Sequence, residues 1–385
     1  MLELPARWRQ SIVVAIGTLL ATTIIACGGT TEPPDGGTTP PPPPTSTIPP
    51  GPYTPGRSYT GRNGYIEYIA GNAPVIYTAP HGGDLAPAEI ADRTAARCGG
   101  SATTTTDVNT RELVLAMQQR HFARFGTYPH VVVNHLARRK LDANRAETEA
   151  TCGSPAALVA FTEWHAFIDA AKAAVTQASG RGWYMDMHGH GHAKQRLEIG
   201  YLLTGAQLDL SDATLDANRA FQDTASMRTV SEASPISFSA LLRGSSSLGT
   251  LYAAGGFPTI PSAMDPSPDG DEYFTGGDNT RRHTCGVEST ALGGTTGGSI
   301  CGVQIEANLT GVRDTPANRD RFADVTATVL QQYLLTHWNL SLERTEPGTE
   351  TGGQRDQKPG VPPRHLSWRD VEPFFVRIGV RTRSK

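Results

Sequence analysis

Trp183-Tyr184-Met185-Asp186-Met187-His188-Gly189-His190-Gly191-His192 is the stretch from which the fold can be read. Trp183 to Met187 is apolar or aromatic except at Asp186, a composition suited to a strand buried on both faces. The glycines and alternating histidines after it end the strand. In open α/β sheets, ligands bind beyond the carboxyl ends of strands, so a histidine-rich strand end is a candidate site. Two other strand ends share this design. Thr78-Ala79-Pro80-His81-Gly82-Gly83-Asp84 follows a strand from Val75, with a proline to stop it and two glycines that let the backbone approach a ligand. Gln304-Ile305-Glu306-Ala307-Asn308 closes a strand from Val303, and the two-residue period puts Gln304, Glu306 and Asn308 on one face.

Outward from these ends, Tyr65–Ile69, Pro129–Val133 and Ile199–Leu203 read as further strands. A helix is expected from about Val108 to Phe125, capped by Thr106 or Asp107 and stopped by Gly126. A second starts at Ser154-Pro155, with proline at the first helical position, and runs to about Ala178. A third covers roughly Pro316 to His337. Strands alternating with helices predict an α/β domain over 59–345, with a mixed, largely parallel sheet flanked by helices.

The chain has 385 residues, 18% of them charged, and a formal net charge of -3, which excludes a strongly basic nucleic-acid platform. Its 41 glycines and 28 prolines exceed ordinary usage, and the excess is local. Residues 28–58 hold prolines at 40–44, 49, 50 and 52 among Thr, Ser and Gly, as in an extended tether. Before it, Arg7 and Arg9 precede an apolar run from Ser11 to Ala26, too short for a comfortable transmembrane helix. Residues 1–27 are therefore an export signal, and Ile24-Ile25-Ala26-Cys27-Gly28 resembles a bacterial lipobox, which implies lipidation at Cys27. The expected location is the cell envelope, with the N-terminal lipid in the membrane. The stretch 346–385 is basic and rich in Gly, Pro and Arg, as in a disordered tail.

Two strand-terminal histidines with an acid suit a catalytic zinc, one per chain, and a further carboxylate nearby would be the general base. Taken in order, Pro80-His81-Gly82-Gly83, Arg139-Lys140-Leu141-Asp142-Ala143-Asn144-Arg145, Asp186-Met187-His188-Gly189-His190-Gly191-His192 and Gln304-Ile305-Glu306 resemble the N-formylglutamate amidohydrolase family. The resemblance covers most of residues 65–335. It implies a fold related to zinc carboxypeptidases and aspartoacylases, and a zinc-dependent hydrolase of an N-acyl amino acid or peptide amide. By the same resemblance His81 and His188 are zinc ligands and Glu306 is the base.

The acidic ligand has two candidates. Asp84 stands at the offset of the acid in the carboxypeptidase His-x-x-Glu pair, and Asp107 resembles the family's aspartate before its first long helix. Asp186, two residues before His188 on one side of the strand, is placed to orient that histidine. Arg138, Arg139 and Arg145 are candidates for a substrate carboxylate. Arg145, in the Asn144-Arg145 pair, is favoured and would also steady an oxyanion. Tyr273 to His283 reads as a substrate-covering loop from which Arg282 or His283 would touch substrate.

Besides Cys27 there are four cysteines, Cys98, Cys152, Cys285 and Cys301, an even number suited to two disulfides in an exported domain. Of three connectivities, Cys98–Cys152 with Cys285–Cys301 closes the shortest loops. Two other functions fit the same residues: a carboxypeptidase or amidase of cell-wall peptides, and a non-catalytic binding lipoprotein. Oligomeric state is open.

Overall fold

Val131 and Val133 pack on one side of their strand while Val132 packs on the other, in a separate core cluster. Val75, Tyr77 and Ala79 alternate with Ile76 in the same way, and Trp183, Met185 and Met187 with Tyr184. Two apolar faces per strand require cover on both sides, and that arrangement is the fold. A computed structural model describes residues 48–289 and 298–343. The signal segment with Cys27, the tether up to residue 47, most of the Gly293–Gly298 run and the basic tail lie outside the described residues.

The eight strands are β1 (Ser58–Thr60), β2 (Ile66–Ile69), β3 (Val75–Ala79), β4 (His130–Asn134), β5 (Gly182–Gly189), β6 (Leu197–Gly200), β7 (Thr259–Ile260) and β8 (Ile300–Ala307). They form one sheet in the order β1-β2-β4-β3-β5-β8-β6-β7. The centre, β4-β3-β5-β8, is parallel, while β2 and β6 flank it antiparallel. The mixed, largely parallel α/β sheet is thus present. The helices Thr110–Phe125 and Pro316–Trp338 pack together on one face, and Pro155–Ser179 covers the other. After β3 the chain adds β4 on one side, then crosses to add β5 on the other. That reversal opens a crevice at the carboxyl ends of β3 and β5.

The Pro155–Ser179 helix starts as expected: the Ser154 side chain accepts from Ala157 N, proline follows, and Gly180 closes it at φ 70°. The Thr110–Phe125 helix does not. It begins two residues later than expected, and its N-cap is Asn109 in the left-handed region, with no side-chain cap. The Asp107 carboxylate is used elsewhere. Gly82 and Gly83 also differ from expectation. A Cβ at Gly83 would lie 2.2 Å from the His135 carbonyl carbon, and one at Gly82 2.5 Å from Arg111 N. The close approach they permit is to the protein's own backbone, where Gly83 bridges Ala137. β6 ends at Gly200, short of the expected Leu203, because Leu202 turns to φ 66°.

Both disulfides have the expected pairing, Cys98–Cys152 and Cys285–Cys301. They close loops of 54 and 16 residues, worth about 4 and 3 kcal/mol in the chain-entropy account.

Candidate metal centre

β3 and β5 are neighbours, so the histidines just past or at their ends meet. The His81 and His188 rings lie 4.8 Å apart, centroid to centroid. Asp107 returns to them because its N–H donates to His81 O at 3.0 Å. One carboxylate oxygen, Asp107 Oδ2, is 3.3 Å from His81 Nδ1, 3.2 Å from His188 Nδ1 and 3.2 Å from Gly189 N. Asp84 is not there. Its side chain is 78% exposed and faces Arg111 at 3.5 Å. Of the two candidate acids, Asp107 is the one beside the histidines.

Each ring has a carboxylate at both nitrogens. His81 Nε2 is 2.6 Å from Asp142 Oδ1, and His188 Nε2 is 2.8 Å from Asp186 Oδ2. With a cation at the two Nδ1 atoms, each Nε2–H would donate outward to its buried carboxylate. Carboxylates behind imidazoles in this way fix ring orientation and raise ligand basicity. The donor set of two imidazoles and one carboxylate fits a divalent transition cation such as Zn²⁺. Asp142 has a part that sequence reading missed, although it lies inside the quoted Arg139–Arg145 stretch. It also takes Arg138 Nε at 2.9 Å.

Glu306 lies directly across the sheet from His188 on one side and Glu198 on the other. Its Oε1 is 4.0 Å from His188 Nδ1 and accepts from Gln304 Nε2 at 2.9 Å. Gln304 and Glu306 thus share a face, and Asn308 instead donates to Thr310 O at 2.7 Å. Burial pushes the Glu306 carboxyl up to about 8, with Asp107 and Glu198 adding to it against His188. Burial would pull His188 down, but the Asp186 and Asp107 carboxylates hold it well above an ordinary histidine. Asp107 and Asp142, despite burial, are kept well below the usual carboxylate range, chiefly by His81.

A cavity of about 320 Å³ opens on this group, lined by Arg138, Asn144, Arg145 and Tyr273–Gly277 besides the histidines and Glu306. Arg138 is committed to Asp142 and reaches Asp107 at 3.5 Å. Arg145 is a third exposed and, among the described residues, holds Glu149 at 3.1 Å and the Asn144 carbonyl. Arg139 points away, half exposed, to Asp92. Asn144 reaches Gln304 Oε1 at 3.4 Å and accepts from Asn279 N at 2.8 Å.

Of the expected covering loop Tyr273 to His283, Tyr273 to Gly277 line the cavity, but Arg282 and His283 do not. They lie on the helix Asp278–His283, which turns His283 into a buried contact with His165 at 2.9 Å. The same helix sends Asn279 back, its Nδ2 donating to Asp186 Oδ2 at 3.2 Å. Arg313 was not foreseen. It is buried, and its guanidinium donates to the carbonyls of Ala307, Val108 and His190, next to Glu306 and Asp107 and just past His188. It reaches all three because Gly189 has no side chain: a Cβ there would be 2.3 Å from Arg313 Cζ.

No family model and no curated protein matches the chain. Among solved structures, it is similar to the N-formylglutamate amidohydrolase from Ralstonia eutropha JMP134, at 11% identity and a TM-score of 0.39, over 71% of this chain and 97% of that one. An N-acetylmuramyl-L-alanine amidase from Mycobacterium abscessus, in its apo form, is similar at 13% identity and a TM-score of 0.30, over 69% of this chain and all of that one (100%). The chemistry of the site is therefore read from its own residues.

Proposed function

We propose that the protein is an exported metal-dependent hydrolase of amide bonds, acting on an N-acyl amino acid or small peptide. The observation that carries this reading is the convergence of His81 Nδ1, His188 Nδ1 and Asp107 Oδ2 at the sheet's crevice, with the Glu306 carboxyl beside them. A divalent cation held by those three groups would supply Lewis acidity toward an amide carbonyl and toward water. Glu306 is the proton carrier. In the metal-free protein its high pKa keeps it largely protonated at neutral pH, and a cation beside it favours the ionised form. In that form Glu306 takes a proton from the attacking water and returns it to the leaving nitrogen. Gln304 fixes the carboxylate's direction for both transfers.

Arg145 is the cavity arginine best able to turn to a substrate carboxylate, since its present partner Glu149 is itself 42% exposed. Arg138 is spent on Asp142 and steadies the carboxylate behind His81. Two disulfides suit an oxidising compartment, which supports reading the N-terminus as an export signal.

Glu306→Gln keeps the shape and removes the proton carrier. The variant is expected to retain its metal and lose hydrolysis by about 10²–10⁴-fold. Full activity in that variant would remove Glu306 from the mechanism. Screening formyl-, acetyl- and peptide-linked amino acids against the wild type separates an acyl-amino-acid hydrolase from a cell-wall-peptide amidase. Inactivity on all of them in metal-loaded protein would favour a binding role.

A further inference from the structure

Past His188 the same strand end continues through His190 and His192, and the proposed reaction uses neither. Both turn toward Glu198 of β6, the residue across the sheet from Glu306 on the side away from His188. His190, His192 and Glu198 bring one ligand atom each within 4.8 Å of one another.

The hydrogen bonds around them fix which atom of each would turn to a cation, and which bond it would exchange. His190 Nε2 lies 2.8 Å from the Arg196 carbonyl, so it carries the proton and donates it. That leaves the His190 Nδ1 lone pair facing the cluster, where it accepts the His192 N–H at 3.1 Å. Glu198 is fully buried. Its Oε2 accepts the Phe274 N–H at 2.9 Å, while Oε1 lies 2.7 Å from His192 Nδ1. The His192 ring stacks on Phe274 at 4.8 Å, with 10° between the planes, and remains partly open to solvent. His190 and Glu198 are thus each oriented by a backbone group, and a cation bound through His190 Nδ1 would replace the His192 N–H as that atom's partner. An oriented imidazole, a second imidazole and a buried carboxylate form a nitrogen–oxygen set suited to a divalent transition cation.

We propose that His190, His192 and Glu198 form a second cation site, separate from the His81–Asp107–His188 group and beside the Phe274 segment. A cation there would tie the end of β5 to the Phe274 segment that covers the cavity, through Glu198 and the ring stacked on Phe274. The site does not depend on the hydrolytic reading, because it shares no ligand with the first group.

The test is a metal count on the full chain, stripped with a chelator and dialysed against excess Zn²⁺. The wild type is expected to hold about two equivalents. His192→Ala and Glu198→Gln should each hold one, with unchanged circular-dichroism melts in the metal-free state serving as the control for folding. A double variant, His81→Ala with Asp107→Ala, should keep one equivalent and lose it when His192→Ala is added. A wild type that binds one equivalent, lost with the double variant and unaffected by His192→Ala, overturns the second site and leaves the first intact. A wild type whose single equivalent is lost only with His192→Ala would uphold the second site and sink the first.

Discussion

His188 and His190 stand two residues apart on one strand end, yet their surroundings give them opposite character. Behind His188 is the Asp186 carboxylate; behind His190 is only the Arg196 carbonyl. The first histidine is held well above the ordinary pKa, and the second is lowered by burial. The residue type and the strand are shared, so the carboxylates bonded to the ring, Asp186 behind it and Asp107 before it, make the difference. A full negative charge offsets the desolvation of an imidazolium, whereas a peptide dipole does not. Buried histidines with no carboxylate beside them, such as His130 and His121, are pushed down by burial in the same way as His190.

The largest effect should come from removing a backing carboxylate. Asp142→Ala leaves His81 without its orienting partner and Arg138 without its main anion. Loss of one member of such a buried group is expected to cost about 3–5 kcal/mol in urea unfolding, with metal binding weakened as well. A loss below 1 kcal/mol would break the comparison, since the carboxylate would then matter no more than a carbonyl.

Acid stability sharpens it. Burial pushes His121 and His130 down to about 3 and His283 to about 4. Below pH 6.5 the unfolded chain takes up protons that these folded histidines refuse. Each therefore costs about 1.4 kcal/mol per pH unit until its folded pKa is reached. Glu306, raised to about 8, binds its proton first in the folded state. It gains stability as the pH falls from 8 to its unfolded value, offsetting one histidine. His188, raised above its unfolded value, is protonated in both states below pH 6.5 and adds nothing there. Thermal melts of metal-free protein from pH 7 to 4 should show a falling Tm, less steep in His130→Gln. A flat profile would mean that the buried histidines are paired after all.

The smallest effect separates the two candidate acids. Asp84→Ala, at an exposed position, should leave metal content unchanged and stability within about 0.5 kcal/mol. Lost metal in that variant would contradict the placement of Asp107 as the acid of the centre.

His81, His188 and Glu306 were legible in the sequence because each stands at the end of a strand whose run and stop signals are local. The parallel centre of the sheet was legible for the same reason. Choosing Asp107 over Asp84 was not possible, since it depends on the chain returning from residue 84 to hydrogen-bond at His81. Arg282 and His283 were misread because a loop and a six-residue helix look alike in a Gly-rich stretch, and the helix turns them away from the cavity. Between β6 and β8 the chain forms short helices, each too brief to show a period. Their only local marks are Thr204, Ser211, Asn218, Ser237 and Ser247, each capping one of them. Arg313 had no local signal, because its three carbonyl partners are distant in sequence or unremarkable in composition.

That arginine also constrains how the site can change through descent. Gly189 cannot gain a side chain while Arg313 fills the space beside it. Arg313 cannot leave without taking a shared donor from three carbonyls at the ends of the segments that carry Asp107, His188 and Glu306. A change at either position therefore disturbs the other, whereas the cavity's outer wall can change one residue at a time without moving the segments behind it.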